Sequence, residues 1–554
     1  MTRIFLIVLI LILTLGCQAK NTQPPGQAVA SAHPAATQAG LDVLNQGGNA
    51  FDAAVAVSAA LAVVEPFGSG LGGGGFWLLH RASDGKQVMV DGREVAPNAA
   101  HRDMYIGANG QANKAASVNG ALAAGIPGLP AALVHLSEHY GELSLSASLK
   151  PSVDLANNGF LVNEHYQRLA RFRQPVLAAS EAASVIFLNK GEAPDLGARI
   201  IQADLANTLI SLSNEGFDGF YRGDVANKLV TGVQQAGGIW TEQDLAGYTV
   251  KERKPIVIDY KGIKVSSAAL PSSGGLVLSI ALQIIEQYDL TTMDEVTKHH
   301  VVVEAMRRAY RERALHMGDS DFVDVPSQQL TAKKYVKSLA KGINLNKATP
   351  SRELTGLNAS EGHDTTHFSI IDKAGNRVSA TLSINYPFGS GFVPAGTGVL
   401  LNDEMDDFSI KPGTPNVYGL VGGEANAIQP GKRMLSSMSP TFIETDDKVG
   451  LMGTPGGSRI ISMLLLAILD AEQGHIPASW VSLPRYHHQY LPDVIEHEPN
   501  AFSDKLMVEL KAKGHTLTPV GRHYGNMHAI LWDKSAGVLT AASDPRGSGL
   551  AIVE

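Results

Sequence analysis

Apolar positions along this chain fall into three patterns, each predicting a different kind of element. The first is an unbroken aliphatic run, Ile4 to Leu15, behind the positive charge of Arg3. A bilayer-spanning helix needs about 20 apolar residues, so this run is too short to cross a membrane. Gly16-Cys17 follows at once, and the segment reads as an export signal outside the fold. The second pattern is helical. Ala-rich stretches from Ala35 to Leu44 and from Asn49 to Val64 predict buried helices, the second opened by Asn49 as N-cap. Further helices are predicted over Leu276 to Gln287, His299 to His316 and Ile460 to Leu469. The third pattern is alternation. Thr365-Thr-His-Phe-Ser-Ile-Ile-Asp372, then Lys-Ala-Gly-Asn376, then Arg377-Val-Ser-Ala-Thr-Leu-Ser-Ile-Asn385 predicts a β-hairpin with Gly375-Asn376 in the turn. With residues 372 to 376 as the loop, Ile371 faces Arg377, and counting outward places Thr365 opposite Ser383. Thr381, Ser383 and Asn385 then share one face with Thr365. Threonine is also common in strands for packing alone, so the pattern by itself leaves a catalytic and a structural reading open.

Between these elements, Gly68-Ser-Gly-Leu-Gly-Gly-Gly-Gly75 leads into a predicted strand at Phe76-Trp-Leu-Leu79. No Gly-Lys-Ser/Thr follows and the order is helix then strand, which argues against a phosphate loop. Close backbone packing near an active site is expected instead. The adjacent pairs His299-His300 and His487-His488 lack a His-Glu-x-x-His spacing or a cysteine partner, so no metal site is expected. Arg222-Gly223-Asp224 reads as a turn.

Composition narrows the classes. With 44% hydrophobic and 18% charged residues the 554-residue chain is that of a well-packed globular protein, whose length suits three or four average domains or fewer bodies built on layered sheets. A net charge of -8 without basic runs disfavours nucleic acid and leaves a small molecule or peptide as partner. Cys17 is the only cysteine, so there is no intrachain disulfide and no thiol nucleophile in the body of the protein. Leu13-Thr14-Leu15-Gly16-Cys17 resembles a bacterial lipoprotein cleavage box, with Thr14 where an aliphatic residue is usual, which makes Cys17 a lipidation candidate; ordinary cleavage after Ala19 is the alternative. Both imply export, to the periplasm, with an outer-membrane lipid anchor in the first case. Residues 1–17 are thus expected to be signal and 18–32 a tether, with order beginning near His33-Pro34.

Several ordered motifs run along the chain: Gln46-Gly-Gly-Asn-Ala-Phe-Asp-Ala-Ala54, Leu71-Gly-Gly-Gly-Gly-Phe76, Asp91-Gly-Arg-Glu-Val-Ala-Pro97, Thr365-Thr-His-Phe-Ser369, Leu401-Asn-Asp-Glu-Met-Asp-Asp-Phe-Ser409, Leu435-Ser-Ser-Met-Ser-Pro440, Thr454-Pro-Gly-Gly-Ser-Arg459 and Ser543-Asp-Pro-Arg546. In this order the chain, from His33 to about Arg546, resembles the gamma-glutamyltransferase family of N-terminal-nucleophile hydrolases. The resemblance implies an α+β four-layer αββα sandwich and a precursor that cleaves itself between Asp364 and Thr365. A large subunit, 33–364, and a small one, 365–554, would stay interleaved as a heterodimer in one body.

It also implies roles. Thr365 is the nucleophile and Ser383 its neighbour. Gly456 and Gly457 supply oxyanion donors. Arg93 with Ser436 and Ser437 binds the α-carboxylate of a gamma-glutamyl group, and Glu404, Asp407 and Asn385 hold its ammonium. Lys411 to Gly423 resembles the lid of many bacterial members, with Tyr418 as its gate. Ser383 stands where Thr is frequent, and Glu404 where some members have Gln. The implied substrates are glutathione and related gamma-glutamyl compounds, with water or amino acids and dipeptides as acceptors, and no metal or organic cofactor. The chemistry of such a threonine is general. Its hydroxyl needs a base, and an α-amino group on the same residue, with a pKa of about 7.7 to 8.0, serves once the peptide bond is cut. Two rivals remain at this level: an amidase for glutaryl β-lactams or poly-gamma-glutamate, and an exported lipoprotein that binds peptides without turning them over.

Overall fold

The computed structural model describes residues 22–354, 365–411 and 413–554. Two antiparallel sheets form its centre. Their strands, in chain order, are β1 (Ala28–Ser31), β2 (Gly74–Arg81), β3 (Lys86–Gly92), β4 (Lys251–Arg253), β5 (Ile256–Tyr260), β6 (Ile263–Ser267), β7 (Thr366–Ile371), β8 (Arg377–Ser383), β9 (Thr441–Glu444), β10 (Lys448–Gly453), β11 (His528–Asp533), β12 (Val538–Ser543) and β13 (Leu550–Val553). The first sheet runs β13-β1-β7-β8-β2-β3-β4 and the second β12-β11-β10-β9-β6-β5. The expected hairpin is β7-β8, with Ile371 opposite Arg377 and Thr366 opposite Leu382. The pairing ends there; Thr365 directly precedes it and lines one cavity with Ser383.

The layering follows from which face of each strand is apolar. On β2, Trp77 and Leu79 point into a core under the large helices, while Leu78 points the other way, to Phe442, Leu451, Ile530 and Trp532 between the sheets. Helices α1 (Pro34–Asn45) and α2 (Ala50–Val64) cover the first sheet, and α3 (Gly274–Ile285), α4 (Glu295–His316) and α5 (Ile460–Glu472) cover the second. The result is the expected αββα sandwich. Every residue of α2 is buried, which its small side chains allow, and Asn49 caps it in a reciprocal box with Asp52. Where α2 ends, Glu65 accepts a 2.7 Å hydrogen bond from the Thr366 hydroxyl, tying that helix to the head of β7.

One boundary needs correction. The tether expected over 18–32 runs into the sheet, because β1 is buried between β13 and β7 and Gln27 already pairs with Glu554. Four small residues are too few to display an alternation, so the strand left no pattern. The aliphatic run, Cys17 and Asp364 lie outside the described residues. Among the described residues no helix is long and apolar enough to cross a membrane.

Candidate active site

Thr365 stands immediately before β7, on the wall of two cavities. The narrower is lined by Thr365, Ser383, Asn385, Tyr418 and Gly457, and by the charged and hydroxyl groups Arg93, Glu404, Asp407, Ser436 and Ser437. The wider, about 450 Å³, shares Thr365 and is lined also by Gly456. Every expected site residue within the described segments therefore reaches one or the other. Thr381 shares that face, as expected, and lies opposite His367, whose Nδ1 is 2.9 Å from its hydroxyl.

Arg93 follows β3 directly, and Asp91 fixes its backbone by accepting from its N–H at 3.0 Å. The guanidinium is 1% exposed, with Nη1 2.6 Å from Glu404 Oε2, Nη2 2.5 Å from Asp407 Oδ2 and Glu94 at 3.5 Å. Burial alone would weaken its hold on a proton, yet Glu404, Glu94 and Asp407 together raise its pKa above the usual arginine range. Glu404 and Asp407 occupy a short 3-10 turn, Glu404–Asp407, which aims both carboxylates inward. Burial pushes Glu404 up to about 7 despite Arg93, and burial with Glu404 pushes Glu94 well above the carboxylate range. Carboxyl groups thus outnumber the guanidinium, and a cation entering the pocket would favour their ionised forms.

Ser436 and Ser437 sit in a loop fastened to the start of α3: Ser436 O accepts from the Ser273 N–H at 2.9 Å and from its hydroxyl at 2.8 Å. Arg313, on α4, donates to Ser273 Oγ at 2.9 Å and to Ser437 Oγ at 3.3 Å. Burial lowers its pKa to about 10, with Asp407 opposing. Sequence reasoning missed Arg313, since it is one basic residue among several on a long helix. It also missed Asp403 and Asp406, although both fall in the motif that supplied Glu404 and Asp407. Burial raises Asp406 to about 6 and Asp403 well above its ordinary range.

The glycines carry conformations that side chains resist. Gly456 and Gly457 have φ of +138° and +56°. They precede α5, so their N–H groups belong to a helix entrance, where an anion is stabilised. A methyl group on Gly457 would lie 2.4 Å from Tyr418 Cδ1, so the ring roofs this segment. Tyr418 is buried and its hydroxyl donates to the Asn385 carbonyl. Asn385 itself has φ +72°, a conformation Asn tolerates better than most residues. Its N–H donates to Ser383 Oγ at 2.7 Å and its side-chain amide to the Asp403 carbonyl at 3.0 Å. On the far side, methyl groups at Gly72 and Gly73 would lie 2.1 Å from the carbonyls of Leu400 and Ser383. The Gly-rich stretch is thus the close backbone packing the sequence suggested.

The histidine pairs point apart, as adjacent residues do. His300 Nδ1 meets His515 Nε2 at 2.8 Å, and His488 meets Asp493 at 3.2 Å. Glu304, the carboxylate nearest the first pair, already serves Arg307 and Arg308, so that cluster is an internal polar network.

Two sheets between helical layers, with a threonine immediately before an inner strand and beside an anion-stabilising turn, define an N-terminal-nucleophile hydrolase. The gamma-glutamyltranspeptidase family model matches residues 36–553. The glutathione hydrolase proenzyme of Escherichia coli is 42% identical over 525 residues, 94% of this chain and 90% of that one. Among solved structures, a cephalosporin acylase from Bacillus halodurans superposes with a TM-score of 0.84 at 27% identity, covering 99% of both chains. The Helicobacter pylori gamma-glutamyltranspeptidase gives 0.57 at 37% identity, over 58% of this chain and 93% of that one. The chain belongs to the gamma-glutamyltranspeptidase family.

Proposed function

We propose that the chain cuts itself before Thr365 and then uses Thr365 to cleave the gamma-glutamyl amide of glutathione and related compounds. The observation that carries this reading is one pocket in which a threonine just before an inner strand faces a buried Arg93–Glu404–Asp407 cluster. In the first reaction the Thr365 hydroxyl attacks the Asp364 carbonyl, the C–N bond breaks as an ester forms, and water releases Asp364 as a carboxylate. The freed amine then takes the proton from the same residue's hydroxyl as it attacks the donor amide. The tetrahedral oxyanion faces the N–H groups of Gly456 and Gly457, the donor's amine leaves with the proton, and the acyl ester passes to water or to an amino acid or dipeptide. Only groups of the chain itself are used.

Recognition is an exchange of partners. Arg93 forms ion pairs with Glu404 and Asp407 across the pocket. A zwitterionic glutamyl head offers Arg93, Ser436 and Ser437 a carboxylate and offers Glu404 and Asp407 an ammonium. A glutaryl group has no ammonium, which favours the glutamyl donor despite the fold shared with a cephalosporin acylase. Tyr418 serves as the gate over this pocket. The aliphatic run Ile4 to Leu15 and Cys17 support delivery to the periplasm on a lipid anchor; a Cys17→Ala variant is then recovered in the soluble fraction.

Intact mass and N-terminal sequencing of wild type and Thr365→Ala test the reading. The wild type yields a fragment beginning at Thr365 and the variant stays one chain. A wild type that remains whole, or a variant that still splits there, overturns it, as does faster release from a glutaryl than from a gamma-glutamyl anilide.

A further inference from the structure

The narrow pocket accounts for only one half of the donor. Thr365 lies on the wall of both cavities, so an amide attacked there has its acyl side in the narrow pocket and its amine side in the wider one, about 450 Å³, within the range of small-ligand sites. Its lining includes Gly456, Glu65, which accepts from the Thr366 hydroxyl beside Thr365, the rings of Phe67 and Tyr524, and the exposed Arg168 and Arg522. His165 lines the same cavity: its Nδ1 meets Arg168 Nη2 at 3.0 Å, and Phe67 holds its ring edge-on at 4.9 Å. Burial, with Arg168 and Arg522 adding to it, lowers His165 to about 4, so its ring stays neutral and accepts from Arg168. Arg546, deeper in the wall, is already committed to Glu498 and Asp544. Among the described residues Arg168 pairs with no carboxylate.

Resting on the functional reading above, we propose that Arg168 and Arg522 form a carboxylate-reading subsite for the leaving and accepting amine, taking the C-terminal carboxylate of an amino acid or dipeptide. Glu65 faces the amine end and the two guanidinium groups face the acid end. In transfer, the acceptor nitrogen forms the new C–N bond as the ester C–O bond to Thr365 breaks, and the proton lost from nitrogen returns to the threonine oxygen.

The test uses the processed enzyme, an Arg168→Ala/Arg522→Ala variant and an Arg168→Lys/Arg522→Lys variant. Both positions are exposed, so folding is not at stake. Two ratios are read: kcat/KM for glutathione over gamma-glutamyl-p-nitroanilide, whose leaving group has no carboxylate, and transfer to glycylglycine over glycylglycinamide. Two solvent-exposed, charge-assisted contacts are worth about five- to tenfold together, so the alanine variant lowers both ratios by about that factor and the lysine variant retains most of each. If the wild type turns over both donors and the alanine variant leaves the ratios within about twofold, the subsite is wrong and the functional reading stands. A wild type inert on both donors overturns that reading and the subsite with it.

Discussion

Substituting Gly457 by alanine perturbs the position where nucleophile, oxyanion donors and roof meet. Its φ of +56° costs an L residue about 1–2 kcal/mol. The added methyl would sit 2.4 Å from Tyr418 Cδ1 and 2.6 Å from Cε1, against an ordinary carbon contact of about 3.5–4.0 Å, so something moves by roughly 1 Å. The ring is not free to yield. Its hydroxyl is bonded to the Asn385 carbonyl, and the Tyr418 backbone N–H donates to Asn416 Oδ1 at 2.9 Å. The glycine backbone therefore shifts and takes an oxyanion donor with it, a loss worth about 10²–10³ in kcat. Arg93 and Glu404 stay in place, so KM changes little. The assay is steady-state hydrolysis of a gamma-glutamyl anilide, normalised to the fraction cleaved before Thr365. Gly474→Ala is the control: φ is +88° with nothing within 4 Å, so it loses comparable stability and keeps its kcat. Removing the ring as well, in Gly457→Ala/Tyr418→Ala, separates collision from backbone strain. A Gly457→Ala enzyme that keeps kcat within about threefold of wild type refutes the oxyanion assignment.

Other consequences are more quickly stated. Because burial places Glu404 near 7, it takes up a proton as pH falls through that value and loses its pull on the donor ammonium. KM for a zwitterionic donor then rises toward acid pH by at most about tenfold per unit, and Glu404→Gln flattens that limb in a KM–pH profile. Arg313→Lys cannot hold Ser273 and Ser437 together, and leaves Ser437 unseated; KM rises about ten- to a hundredfold with kcat little changed, one charge-assisted hydrogen bond being worth about 1.5–3 kcal/mol. After processing, the two chains co-elute on gel filtration in native buffer and separate only in denaturant, since β1 lies between β7 and β13 of the other piece.

Much of this was legible where chemistry and local pattern coincide. The hairpin register could be counted because Gly375-Asn376 fixes the loop and alternation fixes the faces, and Asn49 announced its helix by a cap that needs only three neighbouring residues. What stayed hidden depends on distant partners. β1 is a strand because β7 and β13 flank it, and nothing in Ala28–Ser31 says so. Arg313 meets the site only through the packing of α4 against the Ser436 loop. Thr381 shares the parity of Ser383 but faces His367, because parity chooses a face and not a neighbour. The pairing of Arg93 with Glu404 and Asp407, more than three hundred residues away, is equally a property of the fold.

The proposed function requires one threonine to be both the site of a cut and the tool it leaves behind. The new N-terminus needs an anchor other than the chain before it, and it has one. β7 is an inner strand, paired to β1 on one edge and β8 on the other, and Thr366 is bonded to Glu65 at the end of α2. Losing the peptide bond to Asp364 removes none of these contacts. After the proposed cut Thr365 would therefore keep its place on the wall of both cavities, beside Ser383 in the narrower one, while its amine became available. A threonine on a loop would lose its position along with its upstream neighbour; here the sheet supplies the position and the cut supplies the base.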